Sequence, residues 1–449
     1  MTKTSKSLFV CQECGAAQPK WLGRCPLCQA WDSLVEEVPA APGPAGPGVP
    51  SGAKAPVSLA EAGGRPEPRL VTGLAELDRV LGGGLVSGMV VLVGGEPGIG
   101  KSTLMLQLAG QLAGQGREVL YVAAEESASQ VGRRAARLGL AAPQVALLAE
   151  TALEPVREAV AGGGFPVAVV DSIQALRAAE LAGAPGSVGQ VRHAAAELSQ
   201  AAKATGTALF LVGHVTKEGS LAGPRVLEHL VDTVLYFESE PAMRLRLLRA
   251  VKNRFGATDE VAVFEMSEQG LRQVENPSAV FLAHRPSHAP GSAVCAAVSG
   301  TRPLLVEVQA LVSPTALALP RRQALGVDPG RLSMLIAVLT IHAGLDLSAQ
   351  DVFVNLTGGV KLSEPATDLA VAAAVFSSLY RRPLPPRLVC FGEVGLAGEL
   401  RAVGRQAARL AEAVRQGFDS ALTAPGHTPA PPGLRLLEAE SLADALTLL

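Results

Sequence analysis

Short apolar runs, separated by stretches of helical periodicity, dominate the middle of this chain. The strand-like runs lie at 90–93, 119–122, 167–170, 208–212, 233–237 and 245–250. Alternation of strand and helix signals predicts a mainly parallel sheet covered by helices. The expected fold class is therefore α/β.

The same pattern divides the chain into four predicted segments. Residues 1–36 hold four clustered cysteines, and residues 37–68 are rich in Pro, Ala and Gly, as is typical of a semi-extended linker. Residues 69–274 carry the alternating strand and helix signals. After a break near Pro277, residues 275–449 show further signals of both kinds, which predicts a second α/β domain.

Composition narrows the range of partners. The 39 lysines and arginines nearly balance the 41 aspartates and glutamates, so binding of a polyanion would depend on a local basic surface. No apolar run reaches the roughly 18 residues that a membrane span needs. The first ten residues lack the apolar segment of a signal peptide. We expect a cytoplasmic protein without a membrane partner.

The clustered cysteines have metal-ligand spacing. They are Cys11, Cys14, Cys25 and Cys28, arranged as C-x₂-C-x₁₀-C-x₂-C. Two such knuckles can bring four thiolates to one tetrahedral Zn²⁺, which would stabilise a segment too small for an apolar core. Two disulfides and an iron–sulfur cluster are the alternatives, and a reducing cytosol and the symmetry of the knuckles favour zinc over them.

Residues 95–102 fit the phosphate-loop pattern G-x-x-x-x-G-K-[ST], between a predicted strand and a predicted helix. Backbone N–H groups of such a loop cradle phosphates at the positive end of the helix dipole. Lys101 is expected to neutralise the β- and γ-phosphates, and Ser102 to bind Mg²⁺. The predicted ATP-binding residues are Gly95, Glu96, Pro97, Gly98, Ile99, Gly100, Lys101, Ser102, Thr103 and Asp171.

Three further residues follow predicted strands and suit ATP hydrolysis. Asp171 ends an apolar strand, which is the Walker B arrangement for holding Mg²⁺. Glu125 is the expected general base, with Glu126 a possible substitute and a solvated acidic turn as the structural alternative. His214 could sense the γ-phosphate, although an isolated histidine is more often structural.

The order of these motifs resembles the bacterial RadA (Sms) family, a RecA-related group of recombination ATPases. The matching segments are 82–84 (GGG), 95–103, 125–127 (EES), 171–172 (DS), 185–187 (PGS) and 252–256 (KNRFG). The cysteine module and a C-terminal domain similar to the Lon protease domain match as well. The resemblance covers essentially the whole chain, and the run 252–256 is its most distinctive mark.

The resemblance implies a function and an assembly. Members of the family form homo-hexameric rings on single-stranded DNA and use ATP to drive branch migration of recombination intermediates, which implies branched DNA and a recombinase as partners. Lys252 and Arg254 would reach the ATP of a neighbouring subunit as catalytic residues, alongside Lys101 and Glu125. Residues 177–192 and 217–225 would be DNA-facing loops.

The similarity to a protease domain does not imply peptidase activity. The expected serine nucleophile is replaced by Ala366 and the expected lysine base by Arg409, while Ser363 and Thr367 are displaced from the nucleophile position. We expect this domain to pack into a ring and present DNA-binding cations. The candidates are Arg321, Arg322, Lys361, Arg381 and Arg382. The alternative functions are an ATP-gated scaffold and an ATP-dependent peptidase.

Overall fold

A computed structural model describes the chain over several ranges. They are residues 8–11, 16–27, 29, 31, 33–37, 68–140, 142–214, 227–240, 245–258, 260–286, 288–316, 319–357, 362 and 364–449. One compact unit comprises Met1–Ser239 and Arg246–Gln273, and the other comprises Glu240–Leu245 and Val274–Leu449. The predicted domain boundaries stay predictions. Within the described residues, no helix is long and apolar enough to cross a membrane.

The N-terminal segment contains a small antiparallel sheet in the order β2-β1-β3. Its strands are β1 (Leu8–Cys11), β2 (Ala17–Gln18) and β3 (Leu34–Glu37). The buried residues Cys11, Cys25 and Leu34 form its core. Because this core is so small, the segment needs another source of stability, such as a metal.

The central sheet has nine strands in the order β12-β11-β10-β9-β4-β8-β7-β5-β6. They are β4 (Val90–Gly95), β5 (Val119–Ala123), β6 (Val145–Leu148), β7 (Val167–Asp171), β8 (Ala208–Val212), β9 (Thr233–Glu240), β10 (Leu245–Asn253), β11 (Val261–Ser267) and β12 (Gly270–Gln273). Neighbouring strands from β9 through β4 to β6 all pair in parallel, whereas β11 and β12 form an antiparallel hairpin. The predicted mainly parallel sheet is confirmed.

Helices cover both faces of this sheet. They are α1 (Ala75–Val80), α2 (Lys101–Gly114), α3 (Ala128–Arg137), α4 (Leu153–Ala161) and α5 (Val188–Thr205). Along β4, Val91 and Val93 join the core that contains α2, while Val90 and Leu92 join the core that contains α5. Burial on both faces explains the unbroken apolar run of this strand, and it leaves only the sheet edges for polar chemistry.

The second unit is built on a seven-stranded mixed sheet in the order β15-β16-β14-β13-β17-β20-β21. Its strands are β13 (Ser292–Ser299), β14 (Arg302–Pro314), β15 (Arg322–Leu325), β16 (Gln350–Leu356), β17 (Leu388–Phe391), β20 (Ser420–Thr423) and β21 (Arg435–Glu438), beside a small hairpin of β18 (Glu393–Val394) and β19 (Leu400–Arg401). Its α-helices are α6 (Pro277–Leu282), α7 (Pro329–His342), α8 (Asp368–Leu379), α9 (Gln406–Arg415) and α10 (Leu442–Thr447). The predicted likeness to the Lon protease domain stays a prediction.

Candidate nucleotide-binding site

The phosphate loop lies between the end of β4 and the start of α2, as the sequence predicts. Gly98 and Gly100 have φ of 75° and 118°, a conformation that side chains with a Cβ rarely adopt. Ile99 between them is buried and fixes the loop to the core. A Cβ placed on Gly98 would meet nothing within 4 Å. The loop therefore leaves open space above its backbone at the N-terminus of α2, which fits a phosphate group.

Lys101 is held at the base of this loop, and Ser102 and Thr103 follow it in the first turn of α2. The Nζ atom of Lys101 donates to the carbonyl oxygens of Gly95 at 2.7 Å and Glu96 at 3.0 Å. Burial lowers the pKa of Lys101, and the charges of two carboxylates at the site oppose that shift. The lysine is thus placed beneath the space that a phosphate would occupy.

Glu125 faces the same space and carries a defined set of partners. Its carboxylate accepts from Ser172 Oγ and lies 3.2 Å from His214 Nε2. The hydrogen bond with His214 is the largest reason why the pKa of Glu125 is lowered, and the Ser172 hydroxyl adds to it. The neighbouring Glu126 instead pairs with Arg134 at 2.6 Å. The geometry therefore favours Glu125 over Glu126 as the carboxylate of the site.

His214 connects Glu125 to the lysine. Its Nδ1 lies 3.3 Å from Lys101 Nζ, an atom that can only donate. Its Nε2 faces the carboxylate of Glu125, so the ring bridges the lysine and the carboxylate.

Asp171 ends β7 beside these residues because neighbouring parallel strands end at the same edge. Ala123 of β5 and Val212 of β8 are both in register with Asp171. The Oδ2 atom of Asp171 accepts a hydrogen bond from the buried Tyr121 hydroxyl at 2.8 Å. Burial and the Asp171 charge raise the pKa of Tyr121 well above its usual value, so the phenol stays a donor. Sequence reasoning missed Tyr121, although a phenol in an aliphatic strand was a signal.

Lys252 and Arg254 lie at the other edge of the sheet. Arg254 Nη1 is 3.2 Å from the carboxylate of Asp232, which also accepts from the amide of Val90 at 3.1 Å. Val90 begins β4 and Gly95 ends it, so about 17 Å of strand separates this edge from the phosphate loop. Lys252 Nζ donates to the carbonyl oxygens of residues 228 and 231. Neither cation reaches the phosphate loop of its own chain.

The turn that follows Lys252 is rigidly packed. Asn253 Nδ2 donates to Val80 O at 3.1 Å, and Arg69 Nη2 donates to Phe255 O at 2.7 Å. A Cβ on Gly256 would lie 2.7 Å from Gly82 Cα. The close approach of two backbones explains why glycine occurs in both 82–84 and 252–256.

The predicted DNA-facing loops are described only in part. Residues 217–225 lie outside the described residues. In the first loop, the buried Gln190 donates to Ala178 O at 3.2 Å and to Leu181 O at 2.9 Å, which holds the loop against α5. The order of the loop comes from these internal contacts.

Two of the four predicted zinc ligands are described. Cys11 and Cys25 are buried together in the N-terminal core, while Cys14 and Cys28 lie outside the described residues. Among the described residues no group of three potential ligands occurs. Two converging buried thiols, one from each knuckle, fit the donor set of a zinc site.

In the second unit, a salt bridge occupies the position expected for a peptidase base. Arg409 is buried, donates to Ala296 O at 2.6 Å and Gly404 O at 3.0 Å, and pairs with Glu364. Burial lowers the pKa of Arg409 to about 10, which leaves it protonated at neutral pH. Ala366 is buried nearby.

The remaining residues proposed for peptidase or DNA-binding roles are placed as follows. Thr367 Oγ1 donates to Glu364 O at 2.8 Å, and Arg322 donates to Leu347 O at 2.7 Å, so both side chains already have partners. Arg321, Arg381 and Arg382 are exposed, whereas Ser363 and Lys361 lie outside the described residues.

Comparison with known proteins gives the following matches. Residues 66–220 match the AAA domain family, and residues 9–36 match the family described as rubredoxin metal binding domain. The chain is 53% identical over 446 residues to the DNA repair protein RadA of Pseudomonas aeruginosa, covering 98% of both chains. It is 48% identical to the protein of the same name in Bacillus subtilis, with 99% of both covered, and 47% identical to that of Escherichia coli, with 100% of this chain and 99% of the relative covered. A KaiC-like protein from Pyrococcus horikoshii gives a TM-score of 0.39 at 21% identity, covering 46% of this chain and 100% of its own.

Proposed function

Since this chain belongs to the bacterial RadA family of DNA repair proteins, with a RecA-like ATPase core, we propose that it is a DNA-dependent ATPase motor that drives branch migration in recombinational repair. The observation that carries the proposal is the separation of two sets of residues. Lys101, Glu125 and Asp171 meet where the parallel strands end, which we call the carboxyl edge of the sheet. Lys252 and Arg254 are fixed where these strands begin, which we call the amino edge.

The residues of the carboxyl edge divide the chemistry of ATP hydrolysis among them. Backbone N–H groups of the loop and Lys101 bind and orient the phosphates. Ser102, and Asp171 through water, would hold Mg²⁺, which would supply further neutralisation of phosphate charge. Glu125 accepts the proton of the attacking water, and its lowered pKa keeps it ionised at neutral pH. His214 and Ser172 hold the carboxylate in position.

The residues of the amino edge complete a neighbour's site. We propose a head-to-tail ring in which the amino edge of one subunit meets the carboxyl edge of the next. Lys252 and Arg254 then face the γ-phosphate of the neighbour and stabilise charge in the transition state, as arginine fingers do. A homo-hexamer is the assembly we propose, with single-stranded and branched DNA and a recombinase as partners in the cytoplasm. The second unit packs into the ring and contributes to DNA binding, and it has no peptidase activity.

The first experiment compares ATP turnover with and without single-stranded DNA, followed by movement of a labelled branched junction. Glu125→Gln should abolish turnover and junction movement while ATP binding persists. Glu126→Gln is the matched control and should retain most of the turnover, because Glu126 is paired with Arg134. Turnover that ignores DNA, or a junction that never moves, would count against the motor.

The second experiment tests whether the site is shared between subunits. Lys101→Ala and Arg254→Ala should each be inactive alone. A random equal mixture should regain activity, because about a quarter of head-to-tail interfaces then join an intact loop to an intact Arg254. If both residues served the ATP of their own chain, mixing would restore nothing.

A further inference from the structure

Both tryptophans of this chain are exposed on the N-terminal module. The 449 residues include two tryptophans, Trp21 and Trp31, whose side chains are 54% and 72% exposed. Large aromatic rings gain stability from burial, so two exposed rings within one small module indicate a contact surface.

The two rings lie on either side of Gly23, with cations beside them. Trp21 and Trp31 each come within 4.0 Å of the point where a Cβ on Gly23 would lie, so both indoles border this glycine. The guanidinium of Arg24 stacks over Trp31 at 5.5 Å from the ring centroid, held by a 2.8 Å bond from its Nε to Gln29 O. We call Trp21, Arg24 and Trp31 the tryptophan platform.

The charge around the platform favours an anionic partner with flat rings. Lys20, directly before Trp21, is exposed. Together with Arg24, it places two cations beside the two indoles. Single-stranded nucleic acids bind proteins by stacking bases on aromatic rings while cations follow the phosphates. Duplex DNA hides its base faces, so the platform suits single strands.

We propose that the tryptophan platform binds single-stranded DNA by stacking successive bases on Trp21 and Trp31, with the phosphates beside Lys20 and Arg24. This site lies in a different module from the ATPase residues and does not depend on hydrolysis. An apolar segment of a protein partner is the other class of ligand that such rings could bind.

The chain carries its own probe for this site. Because Trp21 and Trp31 are its only tryptophans, intrinsic indole fluorescence of the full-length protein reports on the platform alone. Titration with an oligothymidine, without nucleotide, should quench this fluorescence as bases stack. Trp21→Phe and Trp31→Phe each leave one indole, so quenching can be followed at each ring separately. Duplex DNA of equal length should quench much less.

Alanine variants then measure what the rings contribute to binding. Trp21→Ala combined with Trp31→Ala should weaken binding of a labelled oligothymidine by at least about thirtyfold, because two stacked bases are lost at about 1 kcal/mol or more each. Leu27→Ala is the matched control, since Leu27 is 73% exposed on the same module but has no ring. Zinc content and DNA-independent ATP turnover should be unchanged in all variants, which separates this test from that of the motor. The proposal would be refuted if the indoles stay unquenched when the oligonucleotide is fully bound, or if the double variant binds it with unchanged affinity. The platform would then be a site for an apolar segment of a protein partner.

Discussion

The salt bridge between Glu364 and Arg409 is expected to hold the second unit together, and its contribution can be derived from the contacts. Arg409 is 3% exposed and Glu364 is 21% exposed. Glu364→Ala leaves a protonated Arg409 buried without its counter-ion, because the pKa of Arg409 is about 10. Stranding one partner of a buried pair costs about 3–5 kcal/mol. The partial exposure of Glu364 favours the lower end.

A second loss adds to this cost. The other carboxylate oxygen of Glu364 accepts from the Val298 amide at 2.7 Å, a bond worth about 1 kcal/mol. We therefore expect Glu364→Ala to lower the free energy of unfolding by about 4 kcal/mol. Arg409→Met should cost about 2 kcal/mol, since Glu364 keeps the Val298 amide and part of its hydration. The double variant strands no charge, so the two effects should fall short of additivity by about 2–3 kcal/mol.

Cys295 and Cys390 provide the assay within the full-length chain. Both are buried in the second unit, and burial raises the pKa of each thiol to about 12, so alkylation requires unfolding. Alkylation of these cysteines at increasing urea, read by peptide mass spectrometry, gives the unfolding midpoint of this unit alone. At a slope of about 2–3 kcal/mol per molar urea, Glu364→Ala should move the midpoint down by roughly 1.3–2 M.

Arg387→Met is the matched control for Arg409→Met. Arg387 is 71% exposed and its nitrogen lies 3.8 Å from Asp419, so the change should cost under about 1 kcal/mol. The reasoning would be refuted by single variants that unfold like the wild type. It would also be refuted by a double variant that loses the full sum of the two single losses, because that sum means the two side chains do not interact.

Three further predictions concern the nucleotide and zinc sites. His214→Ala removes the largest cause of the lowered pKa of Glu125. That pKa should therefore rise, and the loss of ATP turnover on the acid side should move to higher pH. The control is His193→Ala, which should leave the pH profile unchanged because His193 pairs with Glu180. Tyr121→Phe removes the hydrogen-bond donor to Asp171 and should raise the Mg²⁺ concentration needed for nucleotide binding by on the order of tenfold. Binding of a fluorescent ATP analogue at increasing Mg²⁺ measures this, and an unchanged midpoint of the Mg²⁺ titration would exclude the positioning role of Tyr121. The purified protein should contain about one Zn²⁺ per chain, and Cys25→Ser should lower that content, whereas full retention would contradict the four-thiolate site.

In the central sheet, the sequence predicted six of the nine strands and missed β6, β11 and β12. All six predicted strands occur, and a strand with helices packed on both faces, such as β4, is a continuous apolar run. The missed strand β6 is the outermost strand on one side of the sheet, and Ala146 and Leu147 at its centre are exposed. The hairpin of β11 and β12 extends the sheet by antiparallel pairing, which depends on tertiary contacts more than on a local pattern.

At the site, motif spacing identified the phosphate loop and Asp171 but could not distinguish Glu125 from Glu126. Adjacent residues in a turn point in different directions, and the turn geometry decides which one faces the loop. Arg134 on α3 offered a signal, since a cation there can bind the acid that turns away from the site. Tyr121 and Ser172 were missed because their roles depend on register between strands that are distant in sequence.

The path of β10 explains why a single chain cannot reveal the use of Lys252 and Arg254. This strand begins beside the phosphate loop, where Arg246 Nε donates to Ile99 O at 3.1 Å. It ends at the opposite edge, where the amide of Arg254 donates to Asp232 O at 3.2 Å. Strand length, which no side-chain motion can offset, therefore keeps these cations from their own chain's nucleotide. If they act on ATP, a second copy must supply that ATP, so loss of assembly and loss of Arg254 should reduce turnover alike while ATP binding persists.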